Sequence, residues 1–237
     1  QPYGMILVTG PTGSGKTTTL YSCLQDLNKA DVNIITVEDP VEYQLQGINQ
    51  VQVNGVVGLT FAAGLRSILR QDPDIVMVGE IRDGETALIA VQAALTGHLV
   101  LSTLHTNDAA GAIARMNNMG IEPFLLSSSL VMTQAQRLYR KVCPACRKPV
   151  ELDPELLRVN QVAPETFAGV TVFDAVGCAK CNNAGYRGRG ALMEILLLDD
   201  TIRTQLLRSV NAAEIRDLAI KNGMLTLRDL GFQRVKE

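Results

Sequence analysis

The stretch GPTGSGKTT, residues 10–18, stands between an apolar run and a segment whose apolar residues recur at helical spacing. It fits the pattern G-x-x-x-x-G-K-[ST] through Gly10, Gly15, Lys16 and Thr17. With a strand before it and a helix after it, such a loop surrounds a phosphate with backbone N–H groups and the positive end of a helix dipole. The sequence therefore predicts a phosphate loop that binds a nucleoside triphosphate.

Individual positions of this phosphate loop have expected roles. The backbone N–H groups of residues 13–17 would surround the β-phosphate, and Lys16 would reach the β- and γ-phosphates. The hydroxyl of Thr17 would hold Mg²⁺. The predicted nucleotide-binding residues are Gly10, Pro11, Thr12, Gly13, Ser14, Gly15, Lys16, Thr17 and Thr18.

The loop belongs to an alternation of strands and helices. Near-continuous apolar runs, typical of parallel strands buried on both faces, lie at residues 5–10, 33–38, 74–80 and 98–104. Segments with helical spacing separate these runs, at residues 16–29, 60–71 and 84–97. The pattern predicts a doubly wound α/β sheet with crossover helices.

Composition and charge exclude several classes of protein. A hydrophobic fraction of 46% with 19% charged residues is typical of a folded globular chain. A net charge of -2 and 4% aromatic residues argue against a nucleic-acid-binding face. No apolar run approaches the roughly 18 residues of a membrane span. We expect a cytoplasmic protein, and the first residue, Gln1, indicates a piece of a longer chain that lacks N-terminal domains.

Hydrolysis needs a carboxylate that orients or deprotonates water, in addition to a loop that binds phosphate. Glu38, Asp39 and Glu42 lie at the end of the second predicted strand, and Glu80 ends the third. Open α/β sheets place their sites at the carboxyl ends of the strands. We therefore expect these acids beside the phosphate loop.

Two C-x-x-C pairs, Cys143/Cys146 and Cys178/Cys181, predict one tetrahedral site with four sulfur ligands. Zinc is the first choice, with iron as an alternative, and the ion would be structural because no position is left for a substrate. A disulfide is disfavoured in a cytosolic chain. We expect Cys23, in the first helix, to be a small core residue. The basic residues near the first pair are expected to be solvated or to meet an acidic partner: Arg137, Arg140, Lys141, Arg147 and Lys148.

The sequence predicts three consecutive parts. They are a P-loop α/β core at 1–140, a tetracysteine zinc-binding insert at 141–187 and a mainly helical part at 188–237. In the last part, Asn211 followed by Glu214 is typical of a helix N-terminus, and Gly223 is typical of a helix end. The predicted helical segments are 199–210, 211–223 and 225–235.

Four motifs occur together in this order: the phosphate loop, EDPVE, RQDPDIVMVGEIRD and TGHLVLSTLHTN. In that order and spacing the chain resembles the secretion ATPase superfamily, which powers type IV pilus assembly and type II secretion. The match covers essentially the whole chain. The resemblance implies a RecA-like Mg-ATPase core, with ATP and Mg²⁺ at the phosphate loop. Members that assemble pili or secrete proteins carry a tetracysteine insert, whereas pilus-retraction members lack it.

The resemblance also implies residue roles. Glu42 matches the general base, and Glu80 matches an atypical Walker B acid that acts on Mg²⁺ and water. His98 and His105 match histidines that sense the γ-phosphate and couple it to movement, although a structural role is also open. Arg66 and Arg70 match arginines near a subunit boundary, with a solvated basic edge as the alternative.

At the level of the assembly, the resemblance implies a homo-hexameric ring at the cytoplasmic face of the bacterial inner membrane. There it would drive pilin or pseudopilin polymerisation through an inner-membrane platform protein. Relatives carry a preceding domain that supplies further arginines. A DNA-moving ATPase of a conjugation or helicase type and a nucleotide-binding switch without turnover remain alternatives. The motifs do not separate pilus assembly from type II secretion.

Overall fold

The computed structural model describes residues 3–236, which form two compact units. The sheet unit contains the chain up to Gln136 and the segment Met193–Met224. The cysteine unit contains Arg137–Leu192 and the chain from Leu225 onward. The division into 1–140, 141–187 and 188–237 stays a prediction.

The strands are β1 (Gly4–Thr9), β2 (Ile34–Glu38), β3 (Asn49–Gln52), β4 (Ile75–Val78), β5 (Leu99–Leu104), β6 (Leu130–Val142), β7 (Arg147–Val150), β8 (Val172–Ala175) and β9 (Tyr186–Leu197). Over the described residues, seven of them form a sheet in the order β3-β2-β4-β5-β1-β6-β9. The pairs from β3 through to β6 are parallel. The carboxyl ends of β1 to β5 therefore lie at one edge of the sheet, as the sequence predicts for β1, β2, β4 and β5.

The helices are α1 (Lys16–Leu27), α2 (Phe61–Ile68), α3 (Gly84–Leu95), α4 (Ala109–Asn118), α5 (Pro123–Ser129), α6 (Pro154–Val159), α7 (Asp200–Arg208), α8 (Ala212–Lys221) and α9 (Leu227–Lys236). Side chains of Thr60, Asp83 and Asp108 accept backbone N–H bonds at the starts of α2, α3 and α4. Asn211 caps α8 in the same way, at Ala213 N and Glu214 N. The predicted α/β fold with a parallel sheet is confirmed. The sequence did not indicate β3, β6, β7, β8, β9, α4, α5 or α6.

One hydrophobic cluster in the core of the sheet unit lies between α1 and the strands. It includes Leu24 of α1, Ile34 of β2 and Met77 of β4. The prediction that Cys23 is a core residue is wrong, because Cys23 is exposed. The buried face of α1 carries Leu20, Tyr21 and Leu24, and Cys23 points roughly 100° away from the middle of that face.

The C-terminal helices divide between the units: α7 and α8 fall in the sheet unit and α9 in the cysteine unit. Among the residues that the structure describes, no helix combines the length and the apolar character needed to cross a membrane.

Candidate nucleotide-binding site and cysteine cluster

The phosphate loop joins the end of β1 to the start of α1. Gly13 and Gly15 adopt left-handed backbone angles, with φ of 78° and 86°. Gly15 is the N-cap of α1, and no side chain of the described residues caps this end. The first N–H groups of a helix lack partners within it, so they are available to an anion here.

Buried side chains from two neighbouring strands hold the loop in place. Thr9 Oγ1 donates to Leu104 O at 3.1 Å and accepts from Thr106 N at 2.7 Å, which ties the end of β1 to the end of β5. Gln136 of β6 donates from Nε2 to Ser14 O at 2.8 Å and accepts from Thr19 Oγ1 at 2.9 Å. The sequence analysis did not identify Gln136. Its distinguishing feature is an amide side chain that is buried within a strand.

The interior of the loop is tight and polar. A Cβ atom at Gly10 would lie 2.4 Å from Gln136 O and 2.7 Å from Ser14 Oγ, so this position requires glycine. The Ser14 hydroxyl is buried and has no hydrogen-bond partner among the described residues. Lys16 Nζ donates to the carbonyls of Gly10 and Pro11. Burial lowers the pKa of Lys16, and the charge of Glu80 acts in the opposite direction.

Glu80 lies just beyond β4, at the same edge of the sheet. Its carboxylate accepts a hydrogen bond from the Arg82 guanidinium and lies 3.3 Å from His105 Nε2. Burial acts to raise the pKa of Glu80, but Arg82 and then His105 outweigh it, so the pKa lies below its ordinary value. Arg82 also lies 3.7 Å from Asp39. The structure thus brings Glu80 and His105 together and adds Arg82, which the sequence analysis did not single out.

The two glutamates near the end of β2 differ in environment. Glu38 is buried and Glu42 is exposed. Asp39 and Glu42 are therefore the accessible carboxylates of this segment, whereas the Glu38 carboxylate belongs to a buried hydrogen-bond cluster.

His98 lies at the opposite edge of the sheet from the phosphate loop. Its carbonyl accepts from Gly4 N at the start of β1, and its ring Nδ1 lies 2.9 Å from Ala93 O. The six residues of β5 separate it from His105, a span of about 20 Å. The structure does not bring His98 and His105 together.

Arg66 and Arg70 lie on the surface at and after the end of α2. Arg66 forms an ion pair with Glu85 of α3 at 2.6 Å, with both side chains more than half exposed. Arg70 is exposed two residues beyond the helix.

The four cysteines of the cysteine unit converge. Their sulfur atoms all lie within 4.8 Å of one another. Cys181 Sγ is 3.9 Å from Cys146 Sγ and 3.8 Å from Cys178 Sγ. Four sulfurs at Zn–S distances of about 2.3 Å in a tetrahedron would be about 3.8 Å apart. The cluster can therefore hold a zinc ion.

Local backbone groups shape this cluster. Antiparallel pairing of β7 with β8, from Arg147 opposite Ala175, brings the two C-x-x-C segments together although a long stretch separates them. The N–H groups of Cys178 and Gly185 donate to Cys181 Sγ. Burial acts to raise the pKa of Cys181, but these hydrogen bonds outweigh it and lower the pKa to about 7, which favours the thiolate that binds a metal.

A phosphate loop at the carboxyl edge of a parallel sheet, with acids at the ends of neighbouring strands, defines a P-loop nucleotide-binding protein. The family model described as "Type II/IV secretion system protein" matches residues 1–237. The chain therefore belongs to this family.

Similar proteins come from both branches of the family. The chain is 56% identical over 238 residues to "Type IV pilus assembly ATPase PilB" of Myxococcus xanthus, which covers 100% of this chain and 42% of that protein. It is 57% identical to "Type II secretion system protein E" of Dickeya dadantii, over 99% of this chain and 46% of the relative. The chain thus spans less than half the length of these relatives.

A solved structure supports the same relationship. The pilus retraction motor PilT with bound ADP is 30% identical, with a TM-score of 0.66 over 96% of this chain and 60% of that chain.

Proposed function

We propose that this chain is the nucleotide-hydrolysing part of a Mg²⁺-dependent ATPase that powers pilin or pseudopilin assembly in a type IV pilus or type II secretion system. Family membership and the names of the relatives support the system. The observation that carries the hydrolytic role is the position of Glu80 just beyond β4, at the edge of the sheet that carries the phosphate loop, where its carboxylate contacts Arg82 and His105.

The reaction would be in-line attack of water on the γ-phosphorus of ATP. Glu42, exposed beyond β2, would accept a proton from the water as the P–O bond to the β-phosphate breaks, leaving ADP and inorganic phosphate. Lys16 and the N–H groups of the loop would neutralise the charge that spreads over the phosphate oxygens.

The residues present fit a magnesium ion. The Thr17 hydroxyl and the Glu80 carboxylate supply the hard oxygen ligands that Mg²⁺ takes. These two residues would hold Mg²⁺, which would neutralise negative charge on the β- and γ-phosphates. The four cysteines would hold a structural Zn²⁺, with sulfur separations close to those of a tetrahedral site supporting this choice.

The assembly would be a homo-hexameric ring at the cytoplasmic face of the bacterial inner membrane, acting on an inner-membrane platform protein and not on nucleic acid. His105, in contact with Glu80, would sense the γ-phosphate. His98, at the other end of β5, would couple that change to movement at the opposite edge of the sheet. Arg66 and Arg70, exposed near α2, would lie near a subunit boundary.

The test is phosphate release from Mg-ATP per subunit over a wide range of protein concentration, with Glu80→Gln as the blank. We expect specific activity that rises with concentration, because a ring completes its sites between subunits. Specific activity that does not change with protein concentration would contradict the ring. Retained ATP binding with no release would contradict hydrolysis by this part of the protein, and strong stimulation by DNA would favour a DNA-moving ATPase.

A further inference from the structure

Tyr21 is a buried tyrosine on the helix that begins at the phosphate loop. It lies in α1, five residues after Lys16, and its side chain is fully buried in the core of the sheet unit. A buried hydroxyl needs hydrogen-bond partners, because leaving it unpaired costs about 1–3 kcal/mol. The partners of Tyr21 all lie on the segment that leads to Glu42 or on the strand beside it.

The first partner is Glu38, at the end of β2. The Tyr21 hydroxyl donates to its carboxylate, which also accepts from Thr36 Oγ1 at 2.6 Å and from Gln50 Nε2 at 3.0 Å. Glu38 is 3% exposed, and such a carboxylate needs several donors. Burial, followed by the hydrogen bond and charge of Glu38, raises the pKa of Tyr21. Tyr21 therefore stays protonated and remains a donor.

The second partner is the backbone of Glu42, whose N–H donates to the Tyr21 hydroxyl at 3.3 Å. Gln50 of β3 fixes the following residues, since its Oε1 accepts from Leu45 N at 2.7 Å and its Nε2 donates to Tyr43 O at 3.2 Å. The Glu42 side chain is exposed, so its position depends on how its backbone is held.

We propose that Tyr21 is a positioning residue for hydrolysis: its hydroxyl, bonded to Glu38 and to the Glu42 amide, fixes the segment carrying Glu42 to the helix that carries the phosphate loop. The inference rests on the proposed role of Glu42 as general base. Because Lys16 and Tyr21 lie on one helix, the water-activating carboxylate keeps its place relative to the bound phosphates. A displacement of about 1 Å of such a group can cost 100-fold in rate.

The test compares Tyr21→Phe with the unaltered protein. This change keeps the ring and its edge contact with Tyr43 and removes the hydroxyl. We expect kcat to fall by about 10- to 100-fold, with the Kd for ATP unchanged within about twofold. Ser129→Ala is the matched control, because it removes a similarly buried hydroxyl, bonded to Leu125 O, elsewhere in the sheet unit. We expect this control to retain the kcat of the unaltered protein.

A double-variant cycle separates positioning from general stability. In a Glu42→Gln background, Tyr21→Phe is expected to change the residual kcat by less than about twofold, because its effect acts through Glu42. An equal loss in both backgrounds would overturn the proposal, and so would an unaltered kcat in Tyr21→Phe.

If Tyr21→Phe lowers the melting temperature so far that the protein does not fold, the kcat of Gln50→Met is measured instead. A loss of kcat there supports positioning, and an unaltered kcat overturns it. Absence of phosphate release by the unaltered protein would instead overturn the proposed function, and this inference with it.

Discussion

The phosphate loop and the cysteine cluster both bring a few binding groups together, but they obtain their shape in different ways. The phosphate loop depends on contacts between residues distant in sequence: Thr9, just before the loop, contacts Leu104 and Thr106, and Gln136 contacts Ser14. The cysteine cluster depends on backbone N–H groups next to its own ligands, at Gly177, Cys178 and Gly185.

Burial sharpens the contrast. The strands β2 and β4 of the sheet unit are buried along their whole length. In the cysteine unit, by comparison, Cys143, Cys181 and Gly185 are the only buried residues among those described. A unit without an apolar core needs another source of stability, and a metal ion supplies it in small domains. We therefore expect the sheet unit to shape its site without a ligand, and the cysteine unit to depend on a bound metal ion for its stability.

Lys16→Ala is expected to have the largest effect. The change removes the charge that would neutralise the transferring phosphate, so phosphate release should fall by at least about 100-fold. The zinc content should stay the same, because the cysteine cluster is shaped independently of the loop. Lys29→Ala, which removes an exposed lysine just after α1, is the control. Loss of zinc in Lys16→Ala would contradict the independence of the two regions.

Removal of the metal is expected to act on the cysteine unit alone. Cys181→Ser, or a strong chelator, should reduce the zinc content from about one ion per chain to none. Proteolysis should then cut within residues 137–192, while the sheet unit still binds nucleotide. Cys23→Ser removes an exposed thiol outside the cluster and should change neither property. Simultaneous loss of nucleotide binding would show that the sheet unit also depends on the ion.

The features predicted correctly from sequence have local signals. A glycine-rich motif between a strand and a helix indicates the loop, and near-continuous apolar runs indicate buried strands. The C-x-x-C spacing indicated four cysteines that converge, because each pair needs only one tight turn. The prediction for Cys23 was wrong because the apolar spacing of a helix identifies its buried face only when the residues that pack against the helix are known.

The residues that sequence reasoning missed acquire their roles from distant partners. Gln136 of β6 contacts Ser14 of the phosphate loop, and Thr9 ties the end of β1 to the end of β5; β6 was not predicted. Tyr21 fits the ordinary apolar spacing of a helix, and only the path of the chain after β2 brings the Glu42 amide to its hydroxyl. Strand order and register determine such contacts, and neither can be read from local propensity.

Gln136→Leu tests how far distant side chains shape the phosphate loop. It removes the donor to Ser14 O and the acceptor for Thr19, leaving a buried carbonyl and a partly buried hydroxyl with fewer partners. We expect ATP affinity to fall by about tenfold, equivalent to about 1.4 kcal/mol, as measured by titration with a fluorescent nucleotide. Thr133→Val, another buried change on the same strand, should leave the affinity within about twofold. Unchanged affinity in Gln136→Leu would mean that the loop shapes itself locally, as the cysteine cluster does.

Arg82→Gln is expected to have the smallest effect, because the Arg82 side chain is 59% exposed and surface ion pairs contribute less than about 1 kcal/mol. Arg82 helps to hold the pKa of Glu80 below its ordinary value, and a depressed carboxyl pKa stabilises the folded protein above the pKa of the unfolded state. That contribution is lost as pH falls through the folded-state pKa. Urea unfolding without nucleotide or added Mg²⁺ should therefore show a lower stability of the variant at pH 7 and a shrinking difference as the solution is acidified below about pH 4. A stability difference between the two proteins that stays constant with pH would mean that Arg82 acts through packing, for example on the Phe61 ring, and not through its charge beside Glu80.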